Sequence, residues 1–209
     1  MRERAGAMLL AATAGSVDLL ALTVLGGAFA SIITGNLVTL GFGIGAADAG
    51  RVVPVAIAVT AYAIGVLIWR FLPRTVTVPL LVELALLAVV AGGLLTDPGV
   101  WGRRILLAVA AMAMGGQSVV GLRLRASTTY MTGALATALT GDLRKAGPVL
   151  LQLASLVAGA AAAAALMTVA HWAAYLLPLA PAGLAVACLT GRTATARATP
   201  GAEARPSVR

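Results

Sequence analysis

Ser31-Ile-Ile-Thr-Gly-Asn-Leu-Val-Thr-Leu40 is the stretch that decides the predicted fold, because a second version of it follows about a hundred residues later. The second version reads Thr128-Thr-Tyr-Met-Thr-Gly-Ala-Leu-Ala-Thr137. Each version places a Thr-Gly pair, Thr34-Gly35 or Thr132-Gly133, at the start of an apolar run that is short and rich in hydroxyl groups for a membrane-spanning helix. We therefore expect the chain to be duplicated around these two pairs.

The composition is that of a membrane protein. Of the 209 residues, 60% are hydrophobic and 11% are charged, and the mean hydropathy is +0.99, whereas soluble domains carry about a quarter charged residues. The apolar runs between basic clusters are each about twenty residues long, which as helix matches a hydrocarbon core of roughly 30 Å. No alternating pattern indicates a barrel, so the spans should be helices. We predict an all-α polytopic membrane protein.

The formal charge of +8 indicates membrane topology and not nucleic-acid binding, because the basic residues lie in short loops and at the termini. Cys188 is the single cysteine, so no disulfide framework is expected. The apolar run from about residue 7 to residue 29 is too long for the core of a cleaved signal peptide. We expect it to be a retained first span.

The chain divides into two halves and a tail. The predicted halves are residues 1–97 and 98–190, with the boundary at the turn cluster Thr96-Asp-Pro-Gly99. Residues 191–209 are polar and should form a disordered cytoplasmic tail, because they have too little apolar surface to offset the entropy of ordering. Prolines Pro54 and Pro148 should open the second span of each half.

The duplication is clearest in the spacing of a few residues. In both halves a glycine, Gly65 or Gly159, follows the opening proline by eleven positions. The aspartate and the basic residue before each proline also keep their spacing, as Asp48-x-x-Arg51-x-x-Pro54 and Asp142-x-x-Lys145-x-x-Pro148. A chain of matches in the same order favours duplication over chance.

Two topologies fit the charges. If the short segments do not cross, the chain has six full transmembrane helices plus two short, partly inserted helices, and the halves are inverted. If they cross, the chain has eight spans and parallel repeats. Both place both termini in the cytoplasm by the positive-inside rule. Length favours six spans, because a segment of about 13 residues reaches only roughly 20 Å as helix.

Asp18 is the strongest candidate for a functional side chain, since a charged carboxylate within a span costs at least about 2.5 kcal/mol. A half-helix that begins inside the bundle exposes N–H donors that favour anions and polar groups. Two such helices from inverted halves should meet near the midplane, as in repeat-built transporters. Close helix packing by small residues is the alternative explanation. The predicted binding residues are Asp18, Thr34, Gly35, Asn36, Gln117, Thr132 and Gly133, with Glu83 as a secondary candidate.

Several motifs resemble a known family, and the resemblance covers nearly the whole chain up to the tail. They are Gly15-Ser-Val-Asp18, Leu25-Gly-Gly-Ala-Phe29, Thr34-Gly-Asn36, Met114-Gly-Gly-Gln117 and Thr129-Tyr-Met-Thr-Gly133. The chain is similar in these motifs to the YoaK-like family of bacterial integral membrane proteins, the domain of unknown function 1275. The resemblance implies a bacterial plasma membrane protein. It brings no substrate or reaction with it.

We expect a small transporter or permease for an unidentified small polar or anionic solute. The alternative is a non-catalytic membrane scaffold or a subunit of a larger complex. An enzyme is not expected, because the chain has one His and one Cys and no Ser/His or Glu-x-x-His arrangement. We expect no cofactor, no metal and no nucleic acid. The expected partners are the lipid bilayer and the solute, and a homo-oligomer is left open.

Overall fold

The chain folds into a bundle of helices, described by a computed structural model for residues 2–72, 75–124, 131–141 and 146–190. Within these ranges there are no strands. A π-helix, Ala21–Leu25, continues the first α-helix directly. The α-helices are α1 (Arg2–Leu20), α2 (Ile33–Gly45), α3 (Ala49–Trp69), α4 (Thr77–Leu95), α5 (Val100–Arg123), α6 (Met131–Thr140), α7 (Gly147–Val169), α8 (His171–Leu176) and α9 (Leu179–Thr190).

Six helical segments of the described chain are long and apolar enough to cross a membrane, which confirms the predicted all-α fold with six spans. The two short helices fall below that length. Helix α2 has 13 residues and α6 has 10, which is roughly 20 and 15 Å at 1.5 Å per residue. The six segments are Arg2–Leu25, Ala49–Trp69, Thr77–Leu95, Val100–Arg123, Gly147–Val169 and His171–Thr190.

Capping chemistry explains where α3 begins. The Asp48 Oδ1 atom accepts a hydrogen bond from the backbone N–H of Arg51 at 3.2 Å, and so satisfies one of the free donors of the first turn. The helix therefore begins at Ala49, earlier than Pro54, the predicted opening residue. Pro148 lies in the first turn of α7, as expected.

The centre of the bundle is formed by α1 and α5, which run antiparallel. Gln117 Nε2, late in α5, donates to the carbonyl of Leu10, early in α1, at 2.9 Å. Gly26, which follows the π-helix, packs instead beside Leu107, early in α5, and beside Pro54, early in α3. The end of the first span therefore meets the beginnings of α3 and α5.

This packing defines two faces of the bundle. We call the end with Arg2, Thr77 and Leu124 the amino-terminal face. The end with Gly26 and Val100 is the opposite face. Helix α2 joins the end of the first span to the beginning of α3, and both lie at the opposite face. It therefore does not cross the bundle.

Helix α6 also lies between two spans that meet the same face of the bundle, since α5 ends there and α7 begins there. Helix α7 runs parallel to α1, because Gly15 packs against Leu156, and further along both helices Thr23 Oγ1 donates to Met167 Sδ at 3.6 Å. It thus begins at the amino-terminal face, where α5 ends. The two short helices belong to different faces, the halves are inverted, and the eight-span parallel arrangement is excluded.

Four glycines bring the two halves into contact through their backbones. In each contact the Cα of a glycine lies so close to a carbonyl of the neighbouring helix that a Cβ would overlap it. The contacts are Gly15 with Leu156, Gly159 with Ala12, Gly115 with Tyr62 and Gly65 with Met112. The first two join α1 to α7 and the last two join α5 to α3. Exchanging the halves therefore converts one pair of contacts into the other.

Some of the sequence predictions stay untested. The boundary between residues 97 and 98 stays a prediction, because the contacts relate helices and do not mark a division. The predicted tail, 191–209, and the repeated Asp142 and Lys145 lie outside the described residues.

Replacing a glycine at one of these crossings should destabilise the bundle. Gly15→Ala and Gly159→Ala would each force a methyl group into a backbone carbonyl, and overpacking of this kind costs about 1–3 kcal/mol. Thermal unfolding of the purified protein in detergent would measure the loss. Gly92→Ala is the control, because a Cβ at Gly92 meets nothing within 4 Å. Equal stability of the three variants would contradict the packing described here.

Candidate functional site

An irregular segment inside the bundle, residues 26–32, joins the π-helix to α2. Its first two residues are Gly26 and Gly27, with φ of 147° and 78°, which side chains with a Cβ rarely adopt. The chain turns there and continues in a non-helical conformation to Ile32. Non-helical backbone at membrane depth persists only where protein or water satisfies its polar groups. Two side chains do so here.

Asp18 holds the end of this segment. Its Oδ1 accepts hydrogen bonds from the backbone N–H groups of Ala30 and Ser31, both at 2.7 Å. Its Oδ2 accepts one from the Ser31 hydroxyl at 2.5 Å. The Asp18 side chain is 5% exposed. The carboxylate is thus matched by three donors of the connecting segment and fixes the start of α2 at the depth of Asp18.

Asn36 holds the middle of the same segment. Its Oδ1 accepts from the backbone N–H of Phe29 at 2.9 Å, and its Nδ2 donates to the carbonyl of Phe29 at 2.7 Å. The side-chain amide thereby satisfies both backbone groups of one residue, as a neighbouring strand would. Asp18 and Asn36, both predicted site residues, lie on the two sides of one segment and hold it in place.

The two Thr-Gly pairs are not brought together. Helix α2 packs against α3, where Gly43 lies beside Val52, and α6 packs against α7. Thr34 is exposed and Gly35 is half-buried, whereas Thr132 and Gly133 are both exposed. Helix α2 begins after Ile32, without a side-chain cap. The pairs thus lie on two different sides of the bundle, one beside α3 and the other beside α7. Whether they bind a ligand stays a prediction.

The pairs share one local feature. Thr39 Oγ1 donates to the carbonyl of Gly35, and Thr137 Oγ1 donates to the carbonyl of Gly133, both at 2.9 Å. A hydroxyl bonded to the carbonyl four residues earlier hides its polar group from lipid. The repeated Thr-Gly-x-x-x-Thr pattern thus makes two short helices of similar polarity.

Gln117 and Glu83 lie towards the amino-terminal face, away from Asp18. Gln117 is fully buried on α5, and its amide bonds across to Leu10. Glu83 on α4, the secondary candidate, is 1% exposed. These two side chains and the Asp18 segment form separate polar regions in different parts of the bundle.

A cavity of about 510 Å³ opens beside the connecting segment at the opposite face. Its lining includes Gly26, Gly27, Asp48, Arg51 and the hydroxyl-bearing Thr39. A second cavity of about 230 Å³ shares Gly26 and Gly50 with the first. It brings two further basic side chains to the same region, Arg103 and Arg104.

The charges around these cavities are mixed but mainly positive. Arg51 Nε lies 3.5 Å from the Asp48 carboxylate, and Arg103 Nη2 lies 3.0 Å from that of Asp97. Arg104 stacks on the Trp101 ring at 4.6 Å, so two carboxylates face three guanidinium groups. The excess positive charge would attract anions to this face. Within the part of the chain that the structure describes, no three His, Cys, Asp or Glu side chains are grouped to hold a metal ion.

Sequence reasoning missed Ser31 and Thr39. Ser31 supplies two of the three donors to Asp18, and Thr39 lines the larger cavity. Both lie in the duplicated stretch, and Thr39 recurs as Thr137, so the repeat itself contained the signal. The arginines of the opposite face were interpreted only as topology markers.

The chain matches a known protein family. A family model described as "Protein of unknown function (DUF1275)" matches residues 6–189, which is nearly the whole chain. No curated protein and no solved structure matches it. The match supplies no substrate, reaction or site residue.

Removing a partner of the connecting segment should loosen α2 without preventing insertion. Asp18→Asn replaces an acceptor oxygen by a donor NH2 group, which leaves at least one buried donor of the segment unpaired, at a cost of about 1–3 kcal/mol. We expect a lower melting temperature and faster proteolysis between residues 26 and 32. Asp48→Asn is the control, since Asp48 lies at the surface end of α3.

Asn36 offers a sharper version of the same test. Asn36→Asp keeps the acceptor for the N–H of Phe29 and loses the donor to its carbonyl, whereas Asn36→Leu loses both. Asn36→Leu should therefore be less stable than the wild type, because both backbone groups of Phe29 lose their partner. An Asn36→Leu protein as stable as the wild type would contradict the bracing role.

Proposed function

We propose a transport function for this chain, which belongs to the DUF1275 family of proteins of unknown function. The proposal is a small permease for a small polar or anionic solute. The observation that carries it is the irregular segment 26–32, which enters the bundle from the opposite face beside a polar cavity. A protein that only had to pack helices in lipid would gain nothing from such a segment.

The inverted arrangement of the halves supports this proposal. Transporters built from inverted repeats alternate between states in which one half moves against the other, and their broken helices supply polar groups within the membrane. In this chain the spans of one half pack on spans of the other through glycine contacts. A movement of one half against the other would take place at these contacts.

The cavity chemistry supports a polar or anionic solute. The cavity is lined by Gly26 and Gly27 of the connecting segment and by Thr39 and Arg51. Arg103 and Arg104 lie in the adjoining cavity. Guanidinium groups recognise carboxylate and phosphate oxygens by paired hydrogen bonds.

We further propose that the protein lies in the bacterial plasma membrane with the amino-terminal face in the cytoplasm. Among the described residues, this orientation places Arg2, Arg4, Arg70 and Arg123 in the cytoplasm. Arg51, Arg103 and Arg104 lie at the opposite face. This distribution follows the positive-inside rule.

Proteoliposomes would test the transport function directly. Purified protein should accelerate the entry of at least one solute from a panel of small anions and small neutral polar solutes. Movement of none of them, together with the isolation of a stoichiometric partner protein, would overturn the proposal and favour the scaffold alternative.

A cysteine introduced into the cavity should make that flux sensitive to modification. In a Cys188→Ser background, Thr39→Cys places a thiol in the cavity lining, so a membrane-impermeant thiol reagent should block most of the flux. Gly45→Cys is the matched control, because it lies on the same helix with open space around its Cβ. Equal inhibition of both variants would argue against a route through the cavity.

A further inference from the structure

Among the described residues, two carboxylates are buried, and their surroundings are opposite. Asp18 accepts three hydrogen bonds. Glu83 is 1% exposed, and neither of its oxygens has a hydrogen-bond partner among the described residues. A charged carboxylate without donors or a counterion is too costly to persist within a bundle in lipid. Glu83 therefore requires a bound positive charge.

Gln117 supplies an acceptor in the same layer of the bundle. Leu80 on α4 and Val120 on α5 belong to one apolar cluster with Leu10. Glu83 lies one helical turn from Leu80, and Gln117 lies one turn from Val120. Because α4 and α5 are antiparallel, both steps lead in the same direction, towards the bundle centre. The Oε1 of Gln117 also lacks a partner among the described residues.

A proton would satisfy both groups at once. Two acceptors without donors cannot pair with each other, but a protonated Glu83 can donate to Gln117 Oε1. A metal ion is a poorer fit, since ions such as Ca²⁺ or Mg²⁺ take about six or more oxygen ligands and this layer offers three unpartnered oxygens.

An entrance lies at the amino-terminal face. A cavity of about 430 Å³ there is lined by the start of α4 and by Leu124 and Leu189. Leu124, Leu189 and Val76, all in its lining, pack against the apolar cluster of Leu10, Leu80, Val120 and Ala185. One apolar layer thus separates the cavity from Glu83.

We propose that Glu83 is a proton-binding site, with Gln117 Oε1 as its hydrogen-bond acceptor, and that protons reach it from the amino-terminal face through this apolar layer. The site is independent of solute transport. If Glu83 binds no proton, the permease proposal is unaffected. If the protein moves no solute, the proposal of a proton site at Glu83 is unaffected.

Other titratable groups on the helices around Glu83 are placed elsewhere. Arg2, Glu3 and Cys188 line the cavity below the apolar layer. Arg123 turns towards α3, where its guanidinium donates to the carbonyl of Trp69 at 3.0 Å. Tyr175 on α8 packs against the larger apolar core. The protonated carboxyl group of this layer is therefore assigned to Glu83.

Carbodiimide labelling and infrared spectroscopy would test the proton. A hydrophobic carbodiimide, which modifies protonated carboxyl groups in apolar surroundings, should label Glu83 several-fold faster than Asp18, as read by mass spectrometry. The infrared carbonyl band of a protonated acid should be present in wild type and in Asp18→Asn and absent in Glu83→Gln. In Gln117→Leu the band should persist and shift, because its acceptor is gone.

Labelling of Asp18 in preference to Glu83, or a wild-type protein without the acid band, would overturn the proposal. So would protection of Glu83 by Na⁺ at constant pH, because that result would make the occupant a metal ion. The wild-type measurements hold even if Glu83→Gln fails to fold.

Two leucines on α4 test the route. Leu80 and Leu87 are each 2% exposed and lie about one turn on either side of Glu83. Leu80→Ala thins the apolar layer, so a water-soluble carbodiimide should label Glu83 several-fold faster than in wild type. Leu87→Ala removes the same atoms on the far side and should leave the rate unchanged. Faster labelling in Leu87→Ala than in Leu80→Ala would place the entrance at the opposite face.

Discussion

The structure depends on the need to satisfy backbone hydrogen-bonding groups that lie inside the membrane without a helix. Residues 26–32 are not helical, so backbone groups between the two helices need partners from the protein, because lipid offers none. Asp18 supplies acceptors for Ala30 and Ser31, and Asn36 supplies an acceptor and a donor for Phe29. Without these bonds α2 could not begin at the depth of Asp18. The carboxylate predicted as the strongest functional candidate accepts three hydrogen bonds from the chain itself.

The second constraint is the close approach of the two halves. In lipid, helices gain little from burying apolar side chains, because the solvent is itself apolar, and association depends on packing. The glycines at the four crossings let backbones touch. Because each crossing joins a span of one half to a span of the other, neither half is complete alone. The two halves thus form one bundle, with a short helix packed on α3 at one side and a short helix packed on α7 at the other.

The larger features were predictable because each has a local signal. Span number follows from the length of apolar runs, and the shortness of α2 follows from the Gly26–Ser31 break and the cap at Asp48. Gly65 and Gly159 were recognised as equivalent from spacing alone, and they make equivalent contacts. These signals lie within a few residues of the features they predict.

Tertiary placement was not predictable in the same way. We inferred from symmetry that Thr34 and Thr132 meet. Symmetry, however, fixes only that their surroundings are similar. Because α2 packs on α3 and α6 packs on α7, the two pairs lie on different sides of the bundle. The complete burial of Glu83 was not predictable from its place early in its span. Its burial results from the packing of α4 against α5 and α9, which no pattern within α4 reveals. The three donors to Asp18 depend likewise on the fold of a neighbouring segment.

The central claim is that the two short helices belong to opposite faces of an inverted pair of halves. Single cysteines at Gly45, the end of α2, and at Thr140, the end of α6, test it most directly in a Cys188→Ser background, because both positions are exposed. A membrane-impermeant thiol reagent applied to each side of sealed vesicles in turn should label the two positions from opposite sides. Labelling of both from the same side would contradict the inverted six-span arrangement, because parallel halves place both ends on one face.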